Sequence, residues 1–249
     1  MHHVSAYVAH CLLEKKQPLA RVRKNVELLS RLASRQRPSL WSRAVFHHTD
    51  ADDGATVFMR AASCAEAWAL HGEALLADRG CDLFATDTIK RSTVLDHAVA
   101  RGNVQAARRI LEVCEAWHGR RRTLDGLVHH RNDDGDYPLC WAVYRGDDRS
   151  IALLLAHGGR ILSAKGITNA LSIPAVCGAG PLDALLDDLE APGKYAPAEI
   201  AALLGDPTTC GYSVVYVLEN HGAPGLLASA WRARLLLFKA SMTRSPRAI

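Results

Sequence analysis

The chain has 249 residues, of which 49% are hydrophobic and 22% charged, and a formal net charge of +4; that length allows one large domain or two small ones with a core needing no metal or disulfide staples. A mean hydropathy of −0.03, with no run of about 18 apolar residues, argues against a membrane span, and the composition argues against long intrinsic disorder. The seven cysteines, at 11, 64, 81, 114, 140, 177 and 210, include no C-x-x-C pair, which fits reduced thiols in the cytoplasm or nucleus better than a secreted disulfide framework.

Between Glu14 and Arg43 nine basic residues stand against two acidic ones, so this stretch carries +7 and the remainder −3. An Arg-rich, acid-poor beginning has the composition of a mitochondrial presequence. Its apolar residues are ordered, however: Val4, Tyr7, Val8, Cys11 and Leu12 form one helical stripe, and Leu19, Val22, Val26, Leu29 and Ala33 another. Each stripe needs a packing partner. With Pro18 between them, residues 1–46 are expected to form a basic N-terminal helical cap rather than a cleaved leader. Arg21, Arg23, Lys24, Arg31 and Arg35 lie largely opposite the second stripe. They read as a solvated face or as a nucleic-acid contact, the former favoured because no aromatic residues interleave to stack bases.

An internal repeat follows. Its clearest copies are Arg91-Ser92-Thr93-Val94-Leu95-Asp96-His97-Ala98-Val99-Ala100-Arg101-Gly102-Asn103 and Gly135-Asp136-Tyr137-Pro138-Leu139-Cys140-Trp141-Ala142-Val143-Tyr144-Arg145-Gly146-Asp147. Both resemble the ankyrin repeat, G-x-T-P-L-H-x-A-x-x-x-G-[HN], and Leu153-Leu154-Leu155-Ala156-His157-Gly158-Gly159 resembles the end of that family's second helix. In the same register lie Gly54-Ala55-Thr56, Gly211-Tyr212-Ser213 and, more faintly, Gly166-Ile167-Thr168. Taking Thr56, Thr93, Tyr137, Thr168 and Ser213 as equivalent gives spacings of 37, 44, 31 and 45 residues, an irregular array.

The pattern has physical reasons behind it. Thr56, Thr93, Thr168 and Ser213 are placed to N-cap a first helix, and Pro138 sits at N1, where its missing N–H costs nothing. Ala61, Ala98 and Ala142 are small enough to let a neighbouring unit approach. Gly102, Gly146 and Gly222 are placed to end the short helix. Only one copy keeps the Pro and none keeps the family's His, which points to a diverged array, with distortion expected from Leu171 to Gly180 because Pro174 falls inside a helix.

The resemblance implies an all-α, ankyrin-like repeat solenoid with short hairpin loops and N- and C-terminal capping helices. The array is expected over 47–225, with units near 52–85, 87–114, 133–161, 164–189 and 209–225 and insertions at 115–131 and 190–205. Such insertions ordinarily lie on solenoid surfaces and carry specificity. A short helix is expected from Pro197 to Leu204. Residues 226–249 form a capping helix and tail, with Arg232, Arg234 and Lys239 giving the cap a wet outer side.

Signatures for nucleotide-binding loops, zinc hydrolases and serine hydrolases are absent, and no nucleophile with an orienting base is evident. Cys114 and His118 have metal-like i, i+4 spacing but no second ligand pair. No cofactor, metal or catalytic residue is therefore expected. Arg120, Arg121 and Arg122 read as answering the acidic hairpin Asp133 to Asp136.

In the ankyrin family, two positions of each first helix line the concave face. Here they are Arg60 and Cys64, His97 and Arg101, Trp141 and Arg145, Ser172 and Val176, Val217 and His221. The resemblance therefore implies a non-enzymatic protein-protein interaction scaffold whose partner contacts Arg60, His97, Arg101, Trp141 and Arg145 and the hairpin tips. Trp and Arg favour an acidic partner segment with an apolar anchor. The alternative is a nucleic-acid-associated or ribonucleoprotein subunit anchored through the N-terminal basic helix. No membrane partner is expected.

Overall fold

The computed structural model describes residues 53–77, 82–161, 170–172, 179–205, 215–216, 219 and 227–242. The expected N-terminal cap with its basic face, the caps at Thr168 and Ser213, Val176, Val217, His221 and the tail lie outside these residues. Every regular element described is helical, with one isolated antiparallel bridge joining Thr86 and Thr93. The chain divides into two compact units, 1–127 and 128–249.

In the first unit, α1 (Val57–Ala62) packs on α2 (Ala65–Ala77) and on α3 (Val94–Ala100), while α2 and α3 both pack on α4 (Val104–His118). The one-turn α5 (Arg120–Thr123) and a π-helical turn (Leu124–Val128) come next. In the second unit, α6 (Pro138–Arg145) packs on α7 (Asp148–Ala156), α7 on α8 (Ala179–Glu190), and α8 and α9 (Pro197–Gly205) on α10 (Leu227–Met242). These contacts join elements near in sequence, as a repeat array requires. Around Leu171 the described residues form a single 3-10 turn, Ala170–Ser172.

Local chemistry explains the two best-formed repeats. Thr93 Oγ1 accepts from Asp96 N–H at 3.4 Å, while Asp96 Oδ2 accepts from Thr93 N–H and from its hydroxyl, both at 2.8 Å. This reciprocal capping box is made by the residue standing where the family has His, so the lost His has a replacement. Met59 occupies the same place in α1 and its sulfur accepts the Thr56 N–H at 3.4 Å. Pro138 is at N1 of α6, and Tyr137 caps nothing with its side chain.

The first helices also end alike. Gly102 N–H reaches Val99 O and Asn103 N–H reaches Ala98 O, both at 2.9 Å; Gly146 N–H reaches Val143 O at 2.9 Å and Asp147 N–H reaches Ala142 O at 3.0 Å. Both glycines have positive φ, 71° and 63°, the left-handed conformation that closes a helix. The following residue then caps the second helix: Asn103 Oδ1 accepts from Ala106 N–H at 3.2 Å, and Asp147 Oδ1 from Arg149 N–H at 3.2 Å. Asn103 also donates to Ala62 O at 2.9 Å, tying α4 back to α1. Ala61, Ala98 and Ala142 are buried at the packed faces.

Gly54 shows how closely adjacent hairpins approach. Its φ is +65°, and a Cβ there would stand 2.5 Å from Thr88 Cγ2, beside the Thr88 N–H to Asp53 O bond of 2.9 Å. Gly54→Ala is expected to cost about 1–2 kcal/mol, from the left-handed backbone and the displaced Thr88. A chemical melt of the variant against the native chain checks this, and an unchanged midpoint would contradict it.

Both segments expected as surface insertions are structural. In the first, α4 continues through Glu115 to His118, Thr123 and Leu127 are buried, and a Cβ on Gly126 would meet the Phe84 ring at 2.6 Å. Arg121 lies 3.8 Å from Asp125 and Arg122 over the Phe84 ring, 4.8 Å from its centroid, so these two arginines have partners within their own unit. In the second, Tyr195, Leu203 and Leu204 are buried and α9 packs on the C-terminal helix. The apolar residues needed somewhere to go, and the repeat left faces for them.

Candidate binding surfaces

In the first unit the hairpin preceding each first helix presents an aspartate to that helix. Arg60 on α1 makes an ion pair with Asp53. His97, one repeat later at the equivalent position, places Nε2 2.9 Å from Asp87 Oδ2 and Nδ1 3.4 Å from Ser63 Oγ. Asp87 is held in turn by Lys90 N–H at 2.8 Å, and its own N–H reaches Ser92 O at 3.0 Å across the hairpin. Arg60 and His97 each tie a first helix to the hairpin before it, through Asp53 and Asp87, and Ser63 Oγ lies beside the imidazole; the Arg60 and Asp53 charges are near enough to act on the ring. Arg101, at the C-cap of α3, is exposed.

Ser63, His97 and Asp87 stand in the order of a hydrolytic triad, but the hydrogens are disposed otherwise. Ser63 Oγ donates to Met59 O at 2.8 Å, so its proton is directed into the helix end instead of toward the imidazole. The network assigns the neutral ring's proton to Nε2, facing the carboxylate. A nucleophile that keeps its proton on a backbone carbonyl is not activated.

Burial holds the His97 imidazole below its ordinary pKa, against the opposing pull of Asp87, and the nearby Arg60 charge adds to the lowering. At Asp87 burial pushes the carboxyl up, but bonds from Lys90, His97 and Ser92 bring it below the usual range. The folded pair is neutral imidazole with carboxylate. Because the folded-state pKa of His97 is depressed, its contribution is fully present above the unfolded value of about 6.5 and is lost as pH falls through the folded one. The melting temperature of the native chain should therefore drop below about pH 6.5 by more than that of His97→Gln. Parallel pH profiles in scanning calorimetry would disprove this.

In the second unit Trp141 is half-buried on α6, its ring tilted 50° to Tyr144 with centroids 5.9 Å apart. Tyr144 is 45% exposed, and Arg145 ends the helix in solvent. Tyr144 is a surface aromatic that the family register passes over, because it lies between the two positions assigned to the concave face. Its signal was only its place one residue before Arg145. Of the remaining expected positions, Cys64 donates to Glu66 at 3.2 Å on the surface.

Cys114 and Cys140 are buried, and burial raises both thiols, Cys140 to about 12. His118 meets Phe84 edge-on with ring centroids 5.1 Å apart, so it serves packing beside Cys114. Among the described residues no group of three or more His, Cys, Asp or Glu is placed to hold a metal, and no helix is long and apolar enough to cross a membrane.

An ankyrin repeat domain from Acinetobacter baumannii AYE matches this chain over 96% of its length and 98% of its own, with a TM-score of 0.50 and 17% identity. This is an ankyrin-repeat fold. No family model and no curated protein matches the sequence. At that identity the likeness concerns the fold, and the ankyrin repeats here keep it through substituted chemistry: Asp96 and Met59 complete the caps, and Pro138 alone keeps the family's N1 residue.

Proposed function

We propose that the chain is a non-enzymatic protein-recognition scaffold of the cytoplasm or nucleus, binding an acidic partner segment that carries an apolar anchor. The observation that supports this best is the Trp141–Tyr144 pair beside Arg145 on a first helix of the ankyrin array. Two adjoining aromatic rings offer area at little entropic cost, and a guanidinium on the same helix favours a carboxylate in a bidentate geometry. Trp, Tyr and Arg are also the side chains most enriched at binding hot spots.

In the first unit Arg101 is the cation offered to a partner. Arg60 and His97 contribute by fixing the hairpins at Asp53 and Asp87, so that substitution there acts on placement as well as contact. Affinity capture with the full chain, run beside Arg145→Glu and Trp141→Ala, tests the reading. A partner recovered by the native chain and lost from both variants supports it; a partner retained equally by all three overturns it. For Arg145→Glu the loss of binding should shrink as salt rises, since exposed charges are screened over about 10 Å at 0.1 M.

A further inference from the structure

The helix α10 has two apolar faces. Ala230, Ala233, Leu236 and Ala240 are buried on the side that packs on α8 and α9. Trp231, Leu235, Phe238 and Met242 are 61, 53, 59 and 71% exposed. At 3.6 residues per turn the two sets point in opposite directions. The outer side of this capping helix is therefore apolar, with Arg232, Arg234 and Lys239 along its flanks, which corrects the expectation of a wet cap. A helix with apolar residues on two opposite faces is ordinarily covered on both, and four large exposed side chains in one stripe mark an interaction site.

We propose that this stripe is the interface of a homodimer, in which α10 of one copy packs antiparallel on α10 of another. The spacing names the occupant. Residues 231, 235, 238 and 242 are separated by four, three and four, the seam of a two-stranded coiled coil. That spacing reads the same in both directions. An antiparallel copy sets Trp231 against Met242 and Leu235 against Phe238, giving an isologous contact in which the same patch serves both subunits and a sulfur meets an aromatic ring at each end.

Charge argues against other occupants. Arg232 already holds Asp187 and Glu190, each at 2.7 Å, and Arg234 holds Glu219 at 3.1 Å. Carboxylates of the same chain answer the flanking guanidiniums, leaving little net charge to attract an acidic helix or an anionic lipid surface. Area suits a second copy as well. Side chains of this size expose on the order of 500 Å² per copy and about 1,000 Å² for two, where specific interfaces begin.

Sedimentation of the full chain tests the proposal. The native chain should be dimeric at about 50 μM, in the affinity range of modest interfaces. Leu235→Lys and Phe238→Glu should each weaken dimerisation about 100-fold or more, because each leaves an unpaired charge in the seam. Their helical circular dichroism and melting at monomeric concentration should stay native, since both side chains are more than half exposed. Combining L235K and F238E in one chain should restore the dimer, because the antiparallel register places the new Lys opposite the new Glu. A native chain that is monomeric at about 100 μM, a dimer indifferent to L235K, or a double variant that stays monomeric would overturn the proposal. A monomer that sediments with anionic vesicles would overturn it in favour of a lipid-facing helix.

Discussion

Tyr195→Phe is expected to destabilise the second unit by about 2–3 kcal/mol, although it removes a single oxygen. That oxygen accepts from Ile161 N–H at 2.8 Å and donates to Asp188 Oδ2 at 2.7 Å, with the ring buried. Lys194 Nζ completes the knot, 2.5 Å from Asp188 Oδ1 and 2.8 Å from Gly159 O, and Arg160 reaches Lys194 O at 2.7 Å and Glu199 at 2.9 Å. The loop after α8 is thereby fastened to the end of α7. Phenylalanine fills the same volume but leaves a nearly buried carboxylate oxygen and a backbone N–H without their partner, and desolvation of those two groups is what the variant loses. Thermal unfolding of the full chain should shift down by about 5–10 °C. Were residues 190–205 a surface ornament, as insertions into a repeat array usually are, the variant would melt with the native chain.

Truncating Trp141 separates recognition from packing. If the indole is a partner anchor, Trp141→Ala should lower affinity for the acidic segment by about 2 kcal/mol, roughly 30-fold, while the melting temperature moves little. If the indole serves mainly α6 and its neighbours, the same substitution should lower stability by about 3 kcal/mol or more and reduce binding only through the unfolded fraction. The half-buried position of the ring, tilted against Tyr144, is compatible with an anchor whose outer edge remains accessible. Melting and affinity measured on one sample distinguish the two outcomes, and a strongly destabilised variant would remove Trp141 from the binding surface. Tyr144→Ala, with a more exposed ring, should lower affinity without a comparable stability loss.

Legibility followed the range of the interactions. Capping residues act within four positions of themselves, so Thr56, Thr93, Pro138, Gly102 and Gly146 announced the starts and stops of helices that the structure then places there. At the family's His position the identity of Asp96 does not reveal the reciprocal bonds with Thr93 that complete the cap. The repeat register marks the position of His97 but not its surroundings. Its neighbours come from Ser63, 34 residues away, and from Asp87 on the preceding hairpin, and no periodic pattern encodes that meeting.

What the sequence by itself determined was the repeat: local propensity, caps and small residues recur in order, and a unit built from them packs on its neighbours because each has an apolar face it cannot bury alone. Tertiary structure alone decided which other apolar and charged residues are inside. Tyr195 and Leu203 are buried in a segment that reads as an insertion, Tyr195 because it fastens to Ile161 and Asp188, and Leu203 on the helix α9 that packs on α10. The charges of α10 were legible, but its outer face was not. A helix with apolar residues on two opposite faces does not say which face the array takes, and only the packing of Ala230, Ala233 and Ala240 leaves Trp231, Leu235, Phe238 and Met242 facing out.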